Sequence, residues 1–312
     1  MGDDPRYLST AQVAETLGLS VTTIKRWVDD GVLAARKTVG GHRKVLVADV
    51  LRLMRESELP EADLSKLFPR PRKAGVPNPD AVSAQLLTAL KAADQPAVRA
   101  LLHGAFRHGL AMDVLADRVV TPALDRLETE RHAGRIGVMH EHRALQVIVA
   151  ALYELAEIIR VEPDRGRPVA VGGAPESDPT LVATLLANLV LLDAGWEAVN
   201  LGPDNPVGAF VTAINDLRPR LVWVCVSRLP ELDAFLRDCD ELYHEARGAG
   251  TALAVGGRAL SRETLDKMPF ATFGAGMGQL AAYARTLFQR PGVPKKGRPP
   301  RARRERRSRA GH

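Results

Sequence analysis

Two groups of side chains in this sequence have the types and spacing to do chemistry. The first is basic and hydroxylic. Thr22, Thr23, Lys25 and Arg26 fall within SVTTIKRWVDD, and His42, Arg43 and Lys44 follow Gly40-Gly41. Such side chains hydrogen-bond base edges and neutralise phosphates. The second group is acidic and imidazole-bearing. His132, His140, Glu141 and His142 stand close in the sequence with Arg131 beside them, on either side of a break at Gly134, and Glu176 and Asp178 stand further on. Metal ligation and acid–base catalysis are the chemistries to weigh for it. In a helix over 138–160, His140 and His142 lie about 200° apart and cannot share a face. No Cys or carboxylate completes a known ligand spacing, so the sequence implies no metal site. Glu176 and Asp178 stand near a helix start, where carboxylates serve as caps, and no nucleophile–base pair accompanies them. The chain reads as a binding protein and not an enzyme.

The basic group needs a scaffold, and the flanking residues supply one. Ser9 or Thr10 can cap a first helix, with Gln12 placed for a capping box and Ala11, Val13, Ala14 and Leu17 as its apolar stripe. Gly18 ends that helix. Ser20 caps a second one, Val21 to Asp30, which stops at Gly31. Ile24, Trp27 and Val28 face inward, leaving Thr22, Thr23, Lys25 and Arg26 outside. Helix, tight turn and capped second helix is the helix-turn-helix plan, whose second helix enters the DNA major groove. Leu33 to Val47 reads as a two-stranded wing with Gly40-Gly41 at its tip, which lays His42, Arg43 and Lys44 along the backbone. One more helical pattern ends this head near Glu56. The spacing, the IKRW helix and the GGHRK wing resemble the winged-helix head of the MerR and excisionase group.

Composition bounds the remainder. The chain has 312 residues, 46% hydrophobic, with a formal net charge of +6. That is enough for two or three domains and points to a nucleic-acid partner. Two cysteines, Cys225 and Cys239, form neither a CxxC pair nor a disulfide framework, which fits a reducing compartment. No apolar run approaches membrane-spanning length and no signal peptide is evident, so a cytoplasmic, nucleoid-associated protein is expected.

The pattern divides the chain into 1–58, the winged head; 59–80, a Pro-rich linker; 81–161, a helical bundle; 166–289, an α/β domain; and 290–312, a basic tail. The linker carries Arg70, Arg72 and Lys73 among prolines, either brushing DNA or serving as a solvated spacer. In the bundle, four helical segments at about 81–92, 95–108, 111–131 and 138–160 have short connections, which favours an antiparallel four-helix arrangement. Beyond Gly166 five short β runs alternate with helices, the pattern of a flavodoxin-like, Rossmann-like parallel sheet. Ser227 and Gly256-Gly257 close two of the strands. In such sheets ligands sit outside the carboxyl ends, where small residues admit them; the same glycines can equally well end strands and cap turns.

Winged head, bundle and flavodoxin-like domain, in that order, resemble the CarH and LitR family of cobalamin-dependent repressors. The likeness runs from about Tyr7 to Gln289, with local matches at Ile136–His142, Leu201–Pro206 and Val222–Ser227. It implies that bundle and α/β domain clamp adenosylcobalamin, which promotes a DNA-bound oligomer that light disperses. Two positions depart from the family. Its Glu-x-His-x-x-Gly, with the His as lower cobalt ligand, is here Glu176-Ser177-Asp178-Pro179-Thr180-Leu181. Asp178 stands in place of the His, and a hard carboxylate is a poor substitute on cobalt. With Pro179 next to it, Asp178 is expected to cap a helix beginning there. Glu141 and His142 match the family's Glu-His pair, but the Trp ten residues earlier, which packs over the adenosyl face, is Arg131. Adenosylcobalamin is therefore not expected to bind through an axial His. Retention without a protein ligand, another ligand, or regulation by protein contacts alone remain as readings, and a corrinoid carrier or enzyme module is the other functional class.

The tail from Arg290 to His312 holds ten Lys or Arg against Glu305 alone. Such a segment is expected to be disordered and to bind phosphates. Its core KKGRPPR, centred on Arg298, reads either as a nonspecific arm or as an AT-hook for the minor groove. The sequence thus predicts a DNA-binding homo-oligomer, most simply a repressor, with double-stranded DNA as partner.

Overall fold

The computed structural model describes residues 7–37, 41, 43–46, 49–50, 53, 75–159, 166–229, 231–274 and 276–288. His42, Arg298, the linker up to residue 74 and the basic tail lie outside the described residues.

The head opens with β1 (Tyr7–Ser9), then α1 (Thr10–Leu17) and α2 (Val21–Asp29), and the wing strands β2 (Ala35–Lys37) and β3 (Arg43–Leu46). Its turns follow the sequence signals. The Ser9 hydroxyl accepts from the Gln12 amide at 3.2 Å while Gln12 Oε1 accepts from the Ser9 amide at 2.9 Å, a complete capping box. Gly18 ends α1 in the left-handed region, at φ 66°. Ser20 Oγ accepts from the Thr23 amide at 3.0 Å and starts α2. The strand order is β1-β3-β2, antiparallel throughout. Sequence periodicity pointed to the two wing strands only; β1 is three residues long and exists because β3 offers it an edge. Leu8, Val13, Leu17, Ile24, Leu33 and Val45 form the head's core.

Four helical segments build the bundle: α3 (Pro79–Ala92), α4 (Gln95–Arg107), a third that runs from α5 (Met112–Leu115) through a π-helical turn (Ala116–Val120) into α6 (Thr121–His132), and α7 (Val138–Ile159). Asp94 caps α4 through the Ala97 amide at 3.0 Å, with Pro96 in the first turn. The π turn has a local cause. Pro122 has no N–H to donate within the helix, and the Thr121 amide reaches back five residues to Ala116. Buried Ser83 donates to the Val119 carbonyl at 3.0 Å and ties the turn to α3.

The α/β unit is β4 (Val169–Pro175), α8 (Leu181–Asp193), β5 (Glu197–Asn205), α9 (Val207–Leu217), β6 (Leu221–Cys225), α10 (Leu232–Gly248), β7 (Ala252–Gly256), α11 (Arg262–Leu265), β8 (Thr272–Gly274) and α12 (Met277–Leu287). All strands are parallel in the order β5-β4-β6-β7-β8. The order reverses between β4 and β6, so the switch-point crevice opens at their carboxyl ends. Strand alternation feeds two cores. Val171, Val222, Val224 and Val255 pack under α9 and α10, while Ala170, Trp223, Cys225 and Ala254 join the bundle, α8 and α12 in one continuous core. A Cβ on Gly172 would lie 2.4 Å from the Trp223 ring, so that glycine makes room for the indole. α8 is buried on nearly all sides, as its unbroken LLANLVLL run requires.

Candidate functional site

The second helix of the head presents its polar face as the sequence reading expects. Thr22, Lys25 and Arg26 are exposed, Ile24 is completely buried beneath them, and Trp27 and Val28 are half-buried. Thr23 is half-buried, its hydroxyl 2.8 Å from Ser20 Oγ, so it serves the cap first. The Arg43 guanidinium pairs with Asp29 at 2.5 Å and ties β3 to the end of α2. Lys44 is half-buried on the same strand. Two cations escaped the sequence reading, Arg36 and Lys37, both exposed on β2. Arg36 lies 5.7 Å from the centre of the Tyr7 ring, which holds it over the sheet. Alternation along Ala35-Arg36-Lys37 is too short to have signalled them.

At the switch point the geometry differs from the sequence expectation. Helix α8 begins at Leu181, and Asp178 does not cap it; Thr180 holds the cap position without a side-chain bond. Asp178 is instead fully buried. Its Oδ2 accepts from the amides of Ser227 at 2.6 Å and Arg228 at 3.0 Å, and its Oδ1 from Thr180 at 3.0 Å. Its own carbonyl accepts from the Asp204 amide at 3.0 Å, and Asp204 Oδ1 accepts from the Ser177 amide at 2.7 Å. One carboxylate thus stitches the loop after β4 to the loop after β6, across the crevice where a ligand would enter. Glu176 is exposed two residues away. The two acids share no environment and make no acid–base pair.

Gly256 and Gly257 follow the same logic. A Cβ on Gly257, whose φ is +133°, would lie 2.1 Å from the Val226 carbonyl oxygen. The chain's own backbone fills the space that the missing side chain leaves. The next residue, Arg258, reaches back to the bundle and pairs with Glu128 at 2.7 Å and Asp125 at 3.9 Å. The hydrogen bond to Arg258 holds the Glu128 carboxyl below its usual range, and Glu128 in turn raises the guanidinium's pKa. A cation directly after the Gly-Gly pair was the available sequence signal for this bridge.

On the bundle side, Arg131 Nε lies 2.6 Å from Glu141 Oε2, and its Nη2 donates to His132 Nε2 at 2.8 Å. The charge introduced at 131 is therefore neutralised by Glu141. His142 is exposed and lines a shallow groove with Ala93, Gln95 and Met139, away from that pair. His140 is exposed as well, and no cluster of metal-ligating side chains occurs among the described residues. Both cysteine thiols are buried and pushed up to about 12, chiefly by desolvation. These residues do not fit a cobalt centre held by a protein imidazole. The position that would supply the ligand is a carboxylate whose oxygens already accept three amide hydrogens, and on the bundle side Arg131 and Glu141 pair with each other while His142 is exposed.

No helix among the described residues is long and apolar enough to cross a membrane. A helix-turn-helix domain family matches residues 7–58. None of the curated proteins matches the sequence. Among solved structures, the Methanosarcina barkeri monomethylamine corrinoid protein superposes with a TM-score of 0.53 at 15% identity, covering 68% of this chain and 100% of its own. A cobalamin-binding protein from Desulfitobacterium hafniense DCB-2 aligns with a TM-score of 0.37 at 15% identity, over 67% of this chain and 98% of its own. The methanol:cobalamin methyltransferase complex MtaBC from Methanosarcina barkeri gives a TM-score of 0.35 at 16% identity, over 76% and 87%. Only the first is close enough to compare folds, and at that identity it speaks for the fold alone. The chain joins a helix-turn-helix head to a bundle-and-sheet module with the fold of a corrinoid protein.

Proposed function

We propose that this protein is a transcriptional regulator, a repressor, which binds double-stranded DNA as a homo-oligomer. Its C-terminal module serves oligomerisation or sensing without a cobalt-ligating histidine. The observation that carries the reading is the capped helix α2, whose Thr22, Lys25 and Arg26 stand exposed above a buried Ile24 beside the β2–β3 wing. Inserted in the major groove, α2 places the Thr22 hydroxyl and the Lys25 and Arg26 cations against base edges and phosphates. Arg36, Lys37 and Lys44 add cations along the wing, and the tail beyond residue 289 adds a salt-sensitive arm. One such head reads too few base pairs for operator-grade affinity, which is the argument for an oligomer. The repressor assignment follows the CarH and LitR resemblance, and the nucleoid location follows from the reading of the head as DNA-binding.

The saturated Asp178 supports a module that does not hold adenosylcobalamin through an axial ligand. Gel retardation of the DNA upstream of the gene tests the DNA half of the proposal. A specific shift, lost in Lys25→Ala/Arg26→Ala, is the expected result. The absence of any shift at low salt refutes it.

A further inference from the structure

A helix that closes the edge of a parallel sheet turns one face to the sheet and the other to water. Helix α12 departs from that rule. None of its residues from Met277 to Leu287 is exposed, and Ala281, Ala282, Tyr283 and Ala284 are all buried. Four consecutive helical positions point about 100° apart, so cover is needed all round. Two different cores supply it. Ala281, Tyr283 and Ala284 belong to the core of bundle and sheet, whereas Ala282 belongs to the head's cluster with Leu8, Val13, Leu17 and Ile24. Alanine at 282 lets the head come close. The head rests on α12 while Thr22, Lys25 and Arg26 stay exposed, so this contact does not cover the helix that reads DNA.

The bundle holds the same helix. Asp117, in the π turn, accepts the amides of Met277 and Gly278, each at 2.8 Å, and so occupies the amino end of α12. A Cβ on Gly276 would come within 2.9 Å of that carboxylate, which shows how closely the two segments approach. One turn earlier, Asp113 faces Arg285 of the last turn of α12 at 3.7 Å. Both ends of α12 are thus held by one short stretch of the bundle.

We propose that α12 is the output surface of the C-terminal module: it carries the head through Ala282, and the bundle sets its position through Asp117 and Asp113. A ligand or partner subunit that shifts the bundle against the sheet moves α12, and the head moves with it. The regulatory consequence rests on the reading of the head as DNA-binding; the docking itself does not.

The test measures the docking apart from DNA. In the full-length chain, exposed Glu15 of α1 and exposed Glu245 of α10 are replaced by cysteine and spin-labelled; buried Cys225 and Cys239 stay unlabelled. Pulsed dipolar spectroscopy should give one narrow distance for the parent. Ala282→Arg should broaden it, and Asp117→Ala should add a broad component, while a control pair at Thr129 and Glu245 keeps its distance. A broad parent distribution overturns the proposal, as does an unchanged narrow one in Ala282→Arg. If Ala282→Arg also broadens the control pair, Asp117→Ala decides, and an unchanged narrow distance there removes the bundle's part. A narrow parent distance with no DNA retardation would instead sink the DNA-binding reading and leave the docking intact.

Discussion

The outer face of α2 and the crevice between β4 and β6 are both rich in polar groups, but they dispose of them in opposite ways. On α2, Lys25 and Arg26 project into solvent, and the Thr23 hydroxyl is half-buried beside the Ser20 cap. In the crevice, the Asp178 carboxylate accepts amides from Thr180, Ser227 and Arg228, and Arg258 closes onto Glu128. A recognition surface keeps its donors free for a partner. In the crevice the buried carboxylate is met by the chain's own amides.

Four experiments can break or sharpen that contrast. The largest effect should come from reversing charge on the free surface. Lys25→Glu/Arg26→Glu replaces two cations by two anions and should weaken DNA binding by about 10³-fold at moderate salt, with the melting temperature unchanged. A loss of binding accompanied by unfolding would make α2 structural too. Next is Asp178→Ala, which strands the Ser227 and Arg228 amides and should cost about 2–4 kcal/mol in urea unfolding. Asp178→His should also destabilise, and neither it nor the parent should keep colour after incubation with adenosylcobalamin in the dark and desalting. A stoichiometric cobalamin spectrum from the parent would show the crevice to be open after all.

Deletion of 290–312 should lower DNA affinity about tenfold across sequences and flatten its salt dependence. Unchanged binding at moderate salt would remove the tail from the interface. The smallest effect should be that of Glu128→Gln. The Glu128 carboxyl is held below its usual range, so its stabilising contribution is present above the unfolded-state pKa and fades as pH falls through the folded-state value. Both partners are more than a third exposed, at 61% for Arg258 and 34% for Glu128, so the loss should stay below about 1 kcal/mol. The variant's stability should be flatter with pH on the acid side, measured by thermal melts between neutral and acid pH.

Much of the fold could be read from local signals. Ser9 with Gln12, Ser20, and Asp94 with Pro96 mark helix starts because each cap is made within four residues. The β runs stand out because a buried parallel strand is apolar on both faces. What escaped is non-local. β1 exists only by pairing Tyr7–Ser9 with Lys44–Leu46. Asp178 looked like a cap because its decisive partners, Ser227 and Arg228, are about fifty residues away in the sequence. Ala282 carried no signal at all, since a lone alanine in an alanine-rich helix does not say which core it enters. Arg131 reads locally as a charge in place of an apolar lid, and its pairing with Glu141, on the next helix, carries no signal in the sequence.

Helix α8 has a consequence for how the molecule comes apart. Its buried residues from Val182 to Leu192 lie in the one core that also contains α7 of the bundle and Trp223 of the sheet. No plane divides that core without exposing α8 to water on one side. Calorimetry of the chain should therefore show bundle and sheet melting in a single transition. A gene truncated between them, near residue 165, should yield insoluble halves.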